Sequence, residues 1–279
     1  MMAEQLVDDF FVALAASRTD THQVYDIGAN DGTWSYKMIE RSRQRHVQFH
    51  MFEPQPRFAR RLRWLAASTN NASYIAAAAD TTSSNATFYE TRDTSTFSRL
   101  PNGGRGVAYE VVRNVTVPTI DLARYMRQHL NMAACKPRRR NSSTRPLILV
   151  KLDVEAAEYA LLPALLASPS PLCCASHFLV EWHLPALPLT RRVTAGLGLR
   201  LALRTLVKRE CGAKHVIKLA HHDDHRTRLA LRKLAAMPSS DEALELLSVM
   251  LVDSLAEVST HHTRNSLSVL RAAHKRARL

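Results

Sequence analysis

The sequence predicts an α/β protein built on a doubly wound, mostly parallel sheet, and three observations carry that expectation. Short apolar segments alternate with amphipathic ones along most of the chain, the pattern of successive βα units. The most apolar segment, Leu147–Val154, lacks in–out alternation and reads as a strand covered on both faces. A Gly-rich turn, Gly28-Ala29-Asn30-Asp31-Gly32, stands where the first strand hands over to a helix. In doubly wound sheets, that end of the strands is where ligands bind.

Composition is consistent with this class. The 279 residues are 46% hydrophobic and 23% charged, which excludes a disordered tail, a collagen-like rod and a small disulfide scaffold. With 8 Gly and 12 Pro the chain is poor in turn formers for a loop-rich all-β protein. Three regions are expected: an N-terminal helix (1–20), a main α/β domain (21–222) and a basic helical C-terminal extension (223–279). The four cysteines contain no CxxC pair, and adjacent Cys173 and Cys174 read as small buried residues, not as bridges. Glu4, Asp8 and Asp9 stand where a signal peptide would be basic, and no apolar run approaches the ~20 residues of a membrane span. Four Asn-x-Ser/Thr matches, at Asn71, Asn85, Asn114 and Asn141, are read as chance in such a chain. The expected location is the cytoplasm; oligomeric state is left open.

The elements follow in order. Leu6, Phe10, Phe11 and Leu14 fall at helical spacing over 3–16. Strand, helix, strand and helix are expected at Gln23–Ala29, Thr33–Arg43, Gln48–Phe52 and Pro56–Ala67. A third strand covers Ser73–Ala79, with extended segments at Ala86–Thr91 and Val111–Val117 around a Gly-rich loop at Asn102–Gly106. A helix follows at Asp121–Leu130 with Thr119 as its cap, then a basic loop at 136–145. Leu147–Val154, a helix at Ala156–Leu166 and a strand at His177–His183 complete the α/β pattern. Beyond residue 190 the sequence is mainly helical, with one strand at His215–Leu219 and two helices near 240–258 and 264–277. His221-His222-Asp223-Asp224-His225 has metal-binding composition but reads as an exposed polar turn.

The Gly-rich turn defines a ligand class. Its spacing is G-x-x-x-G, not the G-x-G-x-x-G of dinucleotide folds. Asp26 just before it would repel a pyrophosphate but welcome a cation. Glu53, at the end of the next strand, can accept both hydroxyls of a ribose. A nucleoside with a positive middle satisfies all three features, and S-adenosylmethionine is such a molecule. The expected cofactor set is Asp26, Gly28, Asn30, Gly32 and Glu53, with Asp80 accepting from the adenine amino group and Asp153 also in contact. Trp34 and Phe52 read equally as cofactor-packing or core residues.

At this point the blocks VYDIGANDGTWS (24–35), FHMFEPQPRFARRL (49–62), YIAAAAD (74–80), FYE (88–90), TFSRL (96–100), VPTIDL (117–122), LVKLDVEAAEYALL (149–162) and FLVEWH (178–183) stand in a telling order. The sequence resembles the FkbM-type family of S-adenosylmethionine-dependent methyltransferases over roughly residues 20–220. That resemblance implies a class I methyltransferase fold, Rossmann-like, with a seven-stranded sheet containing one antiparallel strand, and O-methylation of a hydroxyl. The chain departs from the family pattern at Ala156, where Gly is usual, and in the basic insertion at 136–145.

A second constellation bears the chemistry. Asp153 and Glu155 lie two apart after a strand, so an extended backbone would aim both to one side. Glu181 and His183 repeat that spacing. Methyl transfer to a hydroxyl needs in-line positioning and profits from a base. His183 suits that task by its ordinary pKa, and Asp153 or Glu155 would orient it, take the proton instead, or hold the substrate. Expected catalytic residues are therefore Asp153, His183 and Glu155. Glu155 and Glu158 also suit the first turn of the following helix. No metal is expected, although Asp153, Glu181 and His183 have suitable donors.

The net charge of +13 divides unevenly. Residues 191–279 carry 17 basic and 8 acidic side chains, so most of the surplus lies outside the motifs. The expected substrate is a small-molecule or glycan hydroxyl, with an anionic partner possible for the basic C-terminal helices. The competing readings are an RNA-directed methyltransferase or nucleic-acid-binding protein, and a partner-binding pseudoenzyme. Against the nucleic-acid reading, aromatics are 6% of the chain, too few for base-stacking platforms.

Overall fold

The computed structural model describes residues 2–19, 22–43, 45–91, 97–98, 111–133, 135, 146–155, 157–167, 169–183, 198–212 and 217–223. Ten strands and six α-helices are described, in two sheets. In chain order they are α1 (Met2–Ala16), β1 (His22–Ile27), α2 (Thr33–Ser42), β2 (Val47–Phe52), α3 (Pro56–Ala67), β3 (Ala72–Ile75), β4 (Ala78–Asp80), β5 (Ser84–Thr91), β6 (Phe97–Ser98), β7 (Val111–Asp121), α4 (Leu122–His129), β8 (Ile148–Leu152), α5 (Glu158–Leu166), β9 (His177–Trp182), α6 (Gly198–Cys211) and β10 (Lys218–Asp223).

The main sheet has the order β10-β9-β8-β1-β2-β3, and all its described pairings are parallel. Alternate residues of each central strand enter opposite layers. Val24, Phe49, Leu149 and Leu179 pack with Leu6, Phe10 and Leu14 of α1, Met38 and Ile39 of α2, and Leu62 and Leu65 of α3. Tyr25, Phe52, Val150 and Val180 pack with Met126 of α4, Leu161 and Leu165 of α5, and Leu203 and Val207 of α6. A sheet buried on both faces must be apolar at consecutive positions, which explains the unbroken run of β8. Helices α1, α2 and α3 thus pack in one layer and α4, α5 and α6 in the other, and each fully buried Leu there contributes roughly 1.5–3 kcal/mol. The antiparallel strand expected for the seven-stranded arrangement is not among the described strands of this sheet.

Several expectations change. The third strand, read as one segment over Ser73–Ala79, is two: β3 pairs with β2, while β4 leaves for a second sheet ordered β4-β7-β5-β6. A kink at 76–77 breaks the hydrogen-bonding direction, which an Ala-rich run does not advertise. Thr119 belongs to β7, and the cap of α4 is Asp121, whose side chain accepts from the Arg124 N–H. His221, His222 and Asp223 lie in β10, paired with Val180, Glu181 and Trp182 of β9, and not in a turn. The sheet thus takes in one residue beyond the expected boundary at 222. The segments 136–145, 102–106 and everything beyond 223 lie outside the described residues.

The cysteine reading is overturned. Cys135 is bonded to Cys174 and Cys173 to Cys211, so all four cysteines are paired. Adjacent cysteines can serve two distant partners because their side chains diverge. Here the turn at Pro171–Cys173 stands between the segment after α4 and the end of α6. Among the described residues no helix is long and apolar enough to cross a membrane.

Candidate active site

The carboxyl ends of β1, β2, β8 and β9 place the candidate residues. After β1 the chain makes a tight loop in which Gly28, Asn30 and Gly32 all have positive φ, 87°, 51° and 77°. Backbone N–H groups of Gly28 and Ala29 donate to the Phe52 carbonyl at 3.0 and 2.9 Å, tying the loop to β2. Asn30 is the one non-glycine of the three, a residue type that tolerates the left-handed region. The need for Gly28 is steric: a Cβ there would sit 1.7 Å from the Asp153 carbonyl oxygen. The sequence reading placed a ligand against these glycines; in the fold, Gly28 lies against the loop after β8. At Gly32 the nearest obstacle is the Leu62 side chain, 2.8 Å from a hypothetical Cβ.

Beneath the loop lies a buried ion pair that the sequence reading missed. Lys151 of β8 donates to Asp26 Oδ1 and to the Gly28 carbonyl, both at 3.0 Å, and stands 3.2 Å from Asp153 Oδ2. Ser35 of α2 donates to the other Asp26 oxygen at 2.6 Å. Asp26 is 1% exposed, so its carboxylate is engaged by the protein's own ammonium and hydroxyl and is not open to a ligand ammonium. Burial pushes Asp26 upward and the Lys151 charge opposes it. Burial would pull Lys151 down, but Asp26 and Asp153 outweigh it and hold the amine above its ordinary value. A lone Lys inside the most apolar strand was the available signal.

Glu53, the first residue after β2, is 4% exposed. Its two oxygens accept from the backbone N–H groups of Asn30 and Gln55, each at 2.9 Å. Burial raises its pKa to about 7, against the pull of those two N–H groups. Each carboxylate oxygen keeps a second lone pair, the arrangement that two ribose hydroxyls require. Tyr74 donates to the Glu53 carbonyl at 2.9 Å and steadies the corner. Asp80 ends β4 in the second sheet, paired in register with Asp121, and its carboxylate accepts from the Thr81 N–H at 2.8 Å. Phe52 is a core residue edge-on to Tyr125, whereas Trp34 faces the Lys151 amine 5.6 Å from its ring.

The catalytic candidates converge, though not by strand geometry. β8 ends at Leu152, and Glu155 has φ 48°, so the two-residue spacing is read through a left-handed turn and not an extended strand. His183 follows β9 directly. Its Nε2 lies 3.7 Å from both Asp153 Oδ1 and Glu155 Oε2, while its Nδ1 is hydrogen-bonded to Glu158. Glu158 is 0% exposed, so the carboxylate that reads as a helix-dipole residue is the one that orients the imidazole. Burial would lower the His183 pKa, but Glu158 first, then Glu155 and Asp153, raise it to about 10. The histidine therefore carries its proton near neutrality, contrary to its ordinary value of 6.5. Asp153, Glu181 and His183 each offer a ligand atom within 4.8 Å of the others, a set that can hold a divalent cation.

A parallel doubly wound sheet, with a Gly-rich loop after β1 and a buried acid after β2, defines an α/β domain of the Rossmann-like class. The family model described as Methyltransferase FkbM domain matches residues 26–188, more than half of the chain. The protein belongs to the FkbM methyltransferase family, and methyl transfer is the general activity of that family. No curated protein and no solved structure matches the chain.

Proposed function

We propose that the protein is an S-adenosylmethionine-dependent O-methyltransferase acting on a hydroxyl of a carbohydrate or small metabolite. The observation that carries the reading is the position of His183, held on Nδ1 by buried Glu158 with Nε2 turned toward Asp153 and Glu155. That cluster adjoins the cofactor loop, because the Asp153 N–H donates to the Ile27 carbonyl at 2.9 Å and its carbonyl lies under Gly28.

The acceptor at the end of β2 suits the cofactor. Glu53 offers two acceptor oxygens, each with one lone pair unspent on protein. The N–H groups of Gly28, Ala29, Asn30 and Gly32 are spent within the protein, so the loop would meet the cofactor by its close-packed backbone and not by free donors. When bound, S-adenosylmethionine supplies an electrophilic methyl on a sulfonium centre. Lys151 and Asp26 hold the loop rigid from below, so little ordering remains to be done on binding.

Catalysis then rests on position and charge. His183 must shed its proton before it can act as base. A positive charge bound beside the cluster would favour that loss by repelling the imidazolium. Glu158 fixes the ring so that Nε2 receives the substrate proton. Asp153 and Glu155 then stabilise the imidazolium that forms and accept hydrogen bonds from neighbouring substrate hydroxyls. General-base assistance of this kind contributes roughly 10²–10⁴-fold.

The test is methyl transfer from labelled S-adenosylmethionine to hydroxyl-bearing glycans and metabolites, with RNA as the competing acceptor. His183→Ala is expected to abolish turnover while calorimetric cofactor binding persists. Normal turnover by that variant removes the base assignment, and a labelled RNA product with unlabelled glycans overturns the substrate class.

A further inference from the structure

From the pairing of its cysteines and the placement of three asparagines, we infer that this chain is a secretory-pathway protein N-glycosylated at Asn71, Asn85 and Asn114. Two unrelated observations meet here. The first is redox: all four cysteines are in disulfides, Cys135–Cys174 and Cys173–Cys211, and Cys135, Cys174 and Cys211 are buried in the core. Structural disulfides persist in oxidising compartments and are rare in the cytoplasm. This argues against the cytoplasmic location expected from the sequence, in which Cys173 and Cys174 read as small buried residues.

The second observation is the sequon set. The chain has nine asparagines, and Ser plus Thr make up 40 of its 279 residues, so chance gives an expectation near one Asn-x-Ser/Thr match. Four are present. None has Pro at the middle position, which would block the acceptor. The three in the described residues all present an exposed asparagine.

Their placement suits a bulky polar modification. Asn85 and Asn114 lie on β5 and β7, where alternation puts Ala86, Phe88 and Val117 inward and Asn85, Thr87, Asn114 and Thr116 outward. The register pairs Thr87 with Thr116, so both sequons sit on one solvent face of the second sheet. Asn71 is the residue before β3, at the amino ends of the strands, where its backbone carbonyl accepts from the Phe49 N–H. The candidate active site is at the opposite, carboxyl ends. A glycan on Asn71 would therefore not cover the methyl-transfer cluster.

The chemistry balances without help from this chain. The asparagine Nδ2 attacks the anomeric carbon of a lipid-linked oligosaccharide. An N–C bond forms, the C–O bond to the lipid diphosphate breaks, and one Nδ2 proton is lost to the transferase. Each disulfide forms by exchange with an oxidised protein dithiol, which takes up the two electrons and two protons. Glycosylation precedes folding, so exposure in the fold is what allows the modified chain to reach this structure.

The experiment is peptide mapping of the full chain isolated from its own cells, with and without peptide-N-glycosidase, and with thiol alkylation before reduction. The expected result is glycan on the Asn71, Asn85 and Asn114 peptides, each converted to Asp on release, and no alkylated cysteine. Each site stands or falls on its own peptide. Asn71→Gln, Asn85→Gln and Asn114→Gln should each remove one mobility step. Ser73→Ala, Thr87→Ala and Thr116→Ala keep the asparagine and should do the same, which separates lost glycan from lost fold. Unmodified asparagine on all three peptides overturns the glycan sites, and four alkylated thiols overturn the secretory assignment.

Discussion

The Nδ1 of His183 is hydrogen-bonded to Glu158, a wholly buried carboxylate at the first turn of α5. The pair joins the end of β9 to the start of the helix after β8. It also sets the protonation of the one imidazole in the cluster, since Glu158 is the largest of the influences raising that pKa to about 10.

Replacing Glu158 by Gln should therefore lower the His183 pKa toward its ordinary 6.5 and move the acidic limb of the pH–rate profile down with it. The effect on stability has a definite sign. A histidine whose folded-state pKa is raised gives a stabilisation that is complete below 6.5 and disappears as pH rises through about 10. Melting temperature measured from pH 6 to 10 should fall over that window in the parent protein and vary less in Glu158→Gln. A pH–rate profile that Glu158→Gln leaves in place would separate the pair from the chemistry.

Glu53 behaves in the opposite pH range. Burial raises it from 4.5 to about 7, so the folded state favours its proton. Its favourable contribution is complete below pH 4.5 and is lost as pH rises through about 7. Cofactor affinity should run the other way, strengthening as the carboxylate ionises and levelling off above pH 8. Glu53→Ala removes two hydrogen bonds to a charged acceptor, at about 1.5–3 kcal/mol each, and should weaken binding by at least 10-fold. Calorimetric titration at pH 6 and pH 8 reads both effects.

The two loop glycines should respond unequally to alanine. At Gly28 the added Cβ meets a backbone carbonyl at 1.7 Å, and backbone cannot swing aside. Gly28→Ala should cost about 3 kcal/mol or more and displace the loops after β1 and β8 together. At Gly32 the obstacle is the flexible end of Leu62, so Gly32→Ala should cost about 1 kcal/mol, mostly from its positive φ. Denaturant midpoints of the two variants, compared with cofactor affinity, make the distinction.

The disulfides close separations of 39 and 38 residues. On the chain-entropy account, each such closure stabilises by roughly 4 kcal/mol. Cys135→Ser with Cys174→Ser, and Cys173→Ser with Cys211→Ser, should each lower stability by about 2–4 kcal/mol. Reductant should lower the parent's midpoint further than that of either pair variant. A parent whose midpoint ignores reductant would contradict the staple role.

The sequence by itself determined the alternation of strands and helices along the first part of the chain. The periodicity switches of β1, α2, β2 and α3 are local, and the Pro56–Ala67 helix appears with the boundaries expected from it. The ends of the apolar runs likewise marked Glu53, Asp153 and His183 as following strands, whereas Glu155, expected on the same extended backbone, stands in the turn after β8. Tertiary structure alone decided which charges meet. That Lys151 would pair with Asp26, 125 residues away, follows from β8 lying beside β1. That Glu158, and neither Asp153 nor Glu155, would hold His183 follows from the left-handed turn at Glu155, which rotates the start of α5 beneath the end of β9. The cysteine pairing is of the same kind: spacing along the chain says nothing of a turn placed between two helix ends. Local patterns are written in neighbouring residues, whereas burial and charge neighbours depend on contacts between residues far apart in sequence.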